Sequence, residues 1–231
     1  MEEKENMTAE RSLEIITEQI EQSRRAISKT TGYSLYISGL CIMCTAVAVA
    51  VVNVITASQG IIGIGHLLWF LLPVVIWQRS RKYAAEHAPA PVSFVGSMIA
   101  KTWITFGFFG IGIFIIAIVW SFFAPRLLEP DVYAILQIRV APAVVLLMGL
   151  AVSITGQILK QGWLTAFGIV AGLGCFVWEH FNLGRKILMG FGMPGDPTAH
   201  AIGASLPCLT VFLFALVGLM LPGLMLKKQR L

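Results

Sequence analysis

The amino-acid sequence predicts an all-α polytopic membrane protein, a bundle of six transmembrane helices preceded by an N-terminal amphipathic helix. Three observations predict it. Hydrophobic residues make up 57% of the 231 residues and charged residues 13%, against an ordinary charged share of about 25% in soluble chains. Apolar runs recur along the chain, each near the ~20 residues that carry a helix across about 30 Å of hydrocarbon with every backbone group bonded internally. Basic residues gather beside the ends of those runs.

Residues 1–31 are a polar arm without the apolar h-region of a cleavable signal peptide, so the first span is expected to serve as an uncleaved signal-anchor. From Thr8, a candidate N-cap, Leu13, Ile16, Ile20 and Ile27 follow helical spacing, with Ile15 alongside; Glu10, Glu14, Glu18 and Glu21 occupy another face. The acidic front suits a helix whose C-terminal half lies at the membrane interface, or one that packs on a partner. Residues 32–231 form the transmembrane domain, with spans near 33–55, 61–78, 102–123, 139–158, 162–181 and 204–226. A short uncharged link, 57–61, joins the first two as a hairpin. The loop 79–101 carries Pro89 and Pro91, which break any helix, and then an apolar face of Val92, Val95, Met98 and Ile99. Residues 159–161 turn tightly between spans four and five, and 183–203 form a Gly/Pro-rich loop before span six.

Small residues recur on spans four and five. Gly149, Ser153 and Gly156 make one seam; Gly168 and Gly172 make a GxxxG seam that continues through Cys175 to Glu179. Such seams let helix backbones approach closely in lipid, where packing drives association. Periodicity leaves open whether they pack within the chain or between copies. Trp77, Trp103, Trp120, Trp163 and Trp178 lie near span ends, as an aromatic belt requires, while Trp69 lies deeper.

With the N-terminus inside, Arg24, Arg25, Lys29, Arg79, Arg81, Lys82, Lys101, Lys160, Lys227, Lys228 and Arg230 face the cytoplasm, and Arg126, Arg139, Arg185 and Lys186 lie outside. That positive-inside bias places both termini in the cytoplasm. The net charge of +5 is therefore explained by topology and anionic headgroups rather than by nucleic acid. Cys41, Cys44, Cys175 and Cys208 all fall inside apolar spans and are expected as buried small hydrophobes; the Cys41-x-x-Cys44 pair lacks the companions of a zinc or redox motif.

On this topology the polar residues His66, Glu129, Asp131, Arg139, Glu179, His180, Asp196 and His200 gather at the outer face. His66, Glu179, His180 and His200 are the residues a metal site would draw on, although no metal-binding spacing occurs and adjacent Glu179 and His180 cannot both point to one centre from a regular helix. An ion pair is the better-founded expectation: ionisable groups at membrane depth usually pair, and the 159–161 turn brings Arg139 and Glu179 to neighbouring helix ends. No phosphate-binding Gly loop, G-x-S-x-G or suitable carboxylate pair occurs, so neither catalysis nor a cofactor is expected.

The polar helical arm, Gly156 through Leu159-Lys160 and Gly162-Trp163, and the closing Leu221-Pro222-Gly223 before a basic tail resemble small uncharacterised bacterial six-span integral membrane proteins. The resemblance implies a bacterial inner-membrane location and carries no active-site residues. The expected role is non-catalytic and exerted through partner proteins, with residues 8–29 and 79–101 as contacts. The alternatives are a membrane subunit of an ATP-driven exporter, which needs a separate ATPase, and an outer-face metal-dependent enzyme.

Overall fold

A single helix, α1 (Glu2–Ala57), takes up the arm and the first span together, 56 residues without a break. No proline interrupts it, and extending an existing helix adds a hydrogen bond per residue without a new nucleus, so the 31/32 boundary leaves no mark in the backbone. The computed structural model describes residues 2–57, 64–86, 94–129, 132, 139–190 and 197–228. After α1 come a 3₁₀ stretch (Ile64–Leu71), α2 (Leu72–Glu86), α3 (Phe94–Leu127), α4 (Val140–Ile158), α5 (Gly162–His180), a short α6 (Leu183–Gly190), α7 (Pro197–Phe214), a π turn (Ala215–Met220) and α8 (Leu221–Lys228).

The chain is all-helical, and among the described residues five helices are long and apolar enough to cross a membrane: Arg11–Thr56, Phe94–Leu127, Val140–Ile158, Gly162–His180 and Ser205–Lys228. The second expected span, 61–78, corresponds to the shorter apolar segment Ile64–Arg79. Two expected loops differ. Residues 94–101 already belong to α3, because the breakers Pro89 and Pro91 end before Phe94. Residues 183–190 form α6, and α7 starts at Pro197, where the fixed φ of proline suits a first helical turn and its missing N–H is no loss.

Residues of α1 buried against the rest of the bundle recur at Ser28, Gly32, Leu35, Gly39, Ile42, Ala46, Val49 and Asn53. The steps alternate between four and three, the repeat that keeps one seam of a helix facing its neighbour. The neighbour is the last helical stretch, which runs antiparallel: a Cβ added at Gly223 would lie 2.5 Å from the Tyr36 backbone nitrogen, one at Gly39 2.9 Å from that of Met220, and Ala46 and Ala50 flank Cys208 and Phe212. The start of the packed part of α1 therefore shares one end of the bundle with Leu226 and Lys227. The Lys227 ammonium sits 5.8 Å from the ring centres of both Tyr33 and Tyr36. We call this the arm end, and the opposite end the far end.

The π turn has a local cause. Pro222 has no N–H to give to the fourth residue back, and its ring crowds that carbonyl. One widened turn immediately before it, closed by Leu221 N–H donating to Leu216 O, lets the helix run on to Lys228 instead of stopping at the Leu-Pro-Gly sequence.

The most extensive contact between two of these elements joins α4 and α5, whose two small-residue seams lie on each other within the chain. A Cβ added at Gly149 would fall 2.6 Å from Gly172 Cα and 2.8 Å from Gly168 O; one at Gly168 would fall 2.6 Å from the Ser153 backbone nitrogen. Ser153 Oγ donates across the seam to Thr165 O at 3.2 Å, or back along its own helix to Gly149 O at 2.9 Å. The hairpin closes through Lys160, whose φ of 54° reverses the chain. α5 in turn runs antiparallel to the last helical stretch, with Ala171 against Gly218 and Glu179 against Thr210. α3 runs antiparallel to α4 from the arm end, where Trp103 Nε1 donates to Thr155 Oγ1 at 3.2 Å. Fully buried Val145, Val152, Leu164, Phe214, Leu219 and Leu226 form the core between these elements.

A direct comparison of glycines tests the seam. Gly168→Val forces a side chain into backbone and is expected to cost the bundle about 1–3 kcal/mol, the range of overpacking, and to lower the melting temperature in detergent. Gly174→Ala, on the open side of the same helix with nothing within 4 Å, is expected to be neutral or stabilising by up to ~1 kcal/mol through helix propensity.

Candidate functional site

At the far end, helix phase sorts the polar residues. Glu179 continues the Gly168–Gly172–Cys175 face of α5 and turns inward; its residue is 7% exposed. His180, 100° further round the helix, is exposed. Glu179 Oε2 accepts a 2.6 Å hydrogen bond from the Oγ1 of fully buried Thr210 on α7. Thr210 Oγ1 also lies 3.3 Å from Leu206 O, so its one O–H can donate to the carboxylate or to the helix backbone, and the shorter contact is to the carboxylate.

Arg139 and Glu179, expected as an ion pair, engage different groups. Arg139 is exposed and its Nη1 reaches the carbonyl oxygen of His180 at 3.5 Å. A guanidinium beside the last carbonyls of α5 complements the negative end of that helix's dipole. The helix ends are adjacent, as expected from the 159–161 turn, but the carboxylate turns into the bundle and the cation stays on its surface. An ion pair does form on α1, where Arg25 lies 3.6 Å from Glu21 one turn away.

Of the four residues considered for a metal, the three whose side chains are described, His66, Glu179 and His180, do not form a ligand cluster. His180 stacks on Phe176, 5.4 Å between ring centres and 15° between planes, and meets Phe181 edge-on. His66 is half-buried beside α1, and the side chain of His200 lies outside the described residues, as does all of Asp131 and Asp196. Among the described residues no three His, Cys, Asp or Glu side chains come together as a metal would need.

The second polar feature at this end rests on Asn53, which the sequence reading did not single out. Its only signal was an amide inside a run of valines and alanines. Asn53 is 2% exposed, and its Oδ1 accepts from Gly65 N–H at 3.0 Å. This bond fixes the amide's orientation, so Nδ2 faces His66 Nε2 at 3.4 Å. The amide thus caps the start of the 3₁₀ stretch, satisfying a backbone donor that has no partner inside its own helix. Gly65 is required here, since a Cβ would fall 2.6 Å from Asn53 Oδ1.

The class that the fold supports is a multi-pass membrane protein. Besides the apolar helices, the surface argues for it. The most apolar stretch of α3 has no buried residue, and Ile104, Phe108, Phe109, Ile115, Ile116, Phe122 and Phe123 are all more than half exposed. A face of that extent is untenable in water and ordinary in lipid. Comparison with protein-family models, with curated proteins and with solved structures found no match for the chain.

The two acceptors make opposite predictions for neighbouring substitutions. Thr210→Val keeps the shape but leaves the Glu179 carboxyl buried without its donor, an expected loss of about 1–3 kcal/mol. Arg139→Ala removes an exposed contact and is expected to change stability by less than about 1 kcal/mol. Thermal melts of the two variants in the same detergent check the pair: a larger loss from Arg139→Ala would mean that the cation, not the hydroxyl, holds Glu179.

Proposed function

We propose that the chain is a bacterial inner-membrane protein with six crossings and both termini in the cytoplasm, and that it acts without catalysis of its own, by engaging partner protein through the arm of α1. The sixth crossing is Ile64–Arg79. α1 and α3 both run from the arm end to the far end, so the chain between Ala57 and Phe94 has to return. The 3₁₀ stretch helps it do so. Eight residues at about 2.0 Å and eight more at about 1.5 Å reach roughly 28 Å, where sixteen α-helical residues reach roughly 24 Å. The positive-inside bias supports the cytoplasmic assignment of the arm end.

One observation carries the partner reading: the arm and the first span are the same unbroken helix. Leu13 is twenty residues before Tyr33, about 30 Å along the axis. A straight helix that crosses the bilayer does not turn to lie in its surface, which favours an arm that projects past the headgroups over the interfacial alternative expected from its acidic front. Leu13, Ile16 and Ile20 are 65%, 51% and 54% exposed. Held in water on a projecting helix, they gain burial only against protein.

The topology is tested in a variant with the four cysteines replaced by alanine. A cysteine at Ser58 is expected to react with an impermeant maleimide from outside intact cells, and one at His87 only after lysis. Equal access at both positions would mean that Ile64–Arg79 does not cross. The partner reading is tested by gentle extraction and mass spectrometry of what stays bound. Ile16→Asp with Ile20→Asp is expected to release a stoichiometric protein while leaving the melting temperature of the bundle unchanged; retention of that protein would place its contact elsewhere.

A further inference from the structure

Resting on the proposed role of the arm, we infer that its occupant is a second copy of this chain, the two arms pairing as a parallel coiled coil on the cytoplasmic side. The spacing of the exposed apolar residues commits the partner to a helix. Leu13, Ile16 and Ile20 are separated by three and four residues, the a, d, a positions of a heptad, and they form one narrow stripe. Ile27 continues the stripe but is 7% exposed, covered by its own bundle, so the free stripe ends one to two turns above the point where the bundle begins.

Charge then selects among helices. In a coiled coil the residues beside the a and d seam face the partner, and like charges there repel. On this arm those positions within the stripe are Ser12, Thr17 and Gln19, all uncharged. The charges sit elsewhere: Glu14, Glu18, Glu21 and Arg25 occupy positions pointing away from the seam, and Glu21 pairs with Arg25 on the same helix at 3.6 Å. Thr17 spends its hydroxyl on Leu13 O of its own helix at 2.8 Å. A basic or acidic partner helix would find no complementary charge at the seam. Between Leu13 and Ile20 an identical one meets no like-charge pair, the nearest charges in the same flanking register being Glu10 and Arg24 on either side of the stripe. The membrane supplies the orientation, since two copies inserted with the same topology present their arms side by side and parallel, and the unbroken helix transmits that alignment from the span to the stripe.

Site-specific photo-cross-linking tests this in intact cells carrying two differently tagged copies of the full-length chain, with benzoylphenylalanine at position 16, on the seam, or at position 18, on the far side. Both positions are exposed, so neither disturbs the core. The expected result is an adduct of twice the chain mass that carries both tags, with a yield at position 16 several times that at position 18 and lost when Leu13→Asp and Ile20→Asp are added. An adduct at position 16 with a different protein and none carrying both tags overturns the self-pairing while keeping the arm as a docking element. Equal yields at 16 and 18 overturn the assigned seam, and no protein adduct at either position overturns both readings.

Discussion

The structure depends on how closely helix backbones can approach where no water is present to drive them together. In lipid an apolar side chain is as well solvated outside the bundle as within it, so association rests on packing and on polar contacts between helices. Two crossings meet that demand with absent side chains. Gly149, Gly168 and Gly172 bring α4 and α5 to backbone contact, and Gly32, Gly39 and Gly223 do the same for α1 and the last helical stretch. α5 packs on that last stretch through Ala171 and Gly218, so the two tight pairs are joined into one core. α3, with Gly107, Gly110 and Gly112 open to the surroundings, is attached mainly along α4 and leaves most of its apolar surface to the acyl chains.

Polar groups inside this core are few, and apart from Ser28 Oγ, which is buried without a hydrogen-bond partner, those named here are answered locally. Ser153 and Thr165 exchange bonds across the α4–α5 seam, Trp103 reaches Thr155, Asn53 serves Gly65, and Thr210 serves Glu179. No continuous line of such groups connects the two ends among the described residues. Glu179 stands apart because its partner is neutral, which places a carboxyl in the bundle without a compensating cation on any described side chain.

Much of this architecture was legible in the sequence because its signals are dense: long apolar runs, small residues repeating every three or four positions on spans four and five, and a 159–161 turn too short for anything but antiparallel neighbours. The seam of α1 was not legible, since it alternates glycine and alanine with leucine, isoleucine and valine inside a run that is apolar on every side. The 3₁₀ stretch and the π turn escaped because neither has a composition of its own; each follows from a neighbour, the short span between α1 and α3 in one case and Pro222 in the other. At the far end the sequence placed Arg139 and Glu179 at adjacent helix ends, and the structure keeps them there. What it lacked was Thr210, thirty-one residues further on, whose hydroxyl reaches the carboxylate from a third helix.

The unbroken course of α1 also fixes an azimuth. Because no turn or swivel separates the buried seam at Gly32 and Gly39 from the stripe at Leu13 and Ile16, the direction in which the arm offers its apolar edge is locked to the direction in which the bundle faces. At about 100° per residue, a single added or lost residue between them would swing that edge through more than a quarter turn while leaving every contact inside the membrane intact. The helix therefore works as a keyed shaft: turning the arm turns the bundle with it, so a contact made at Leu13 and Ile16 would set the azimuth of the whole helical body.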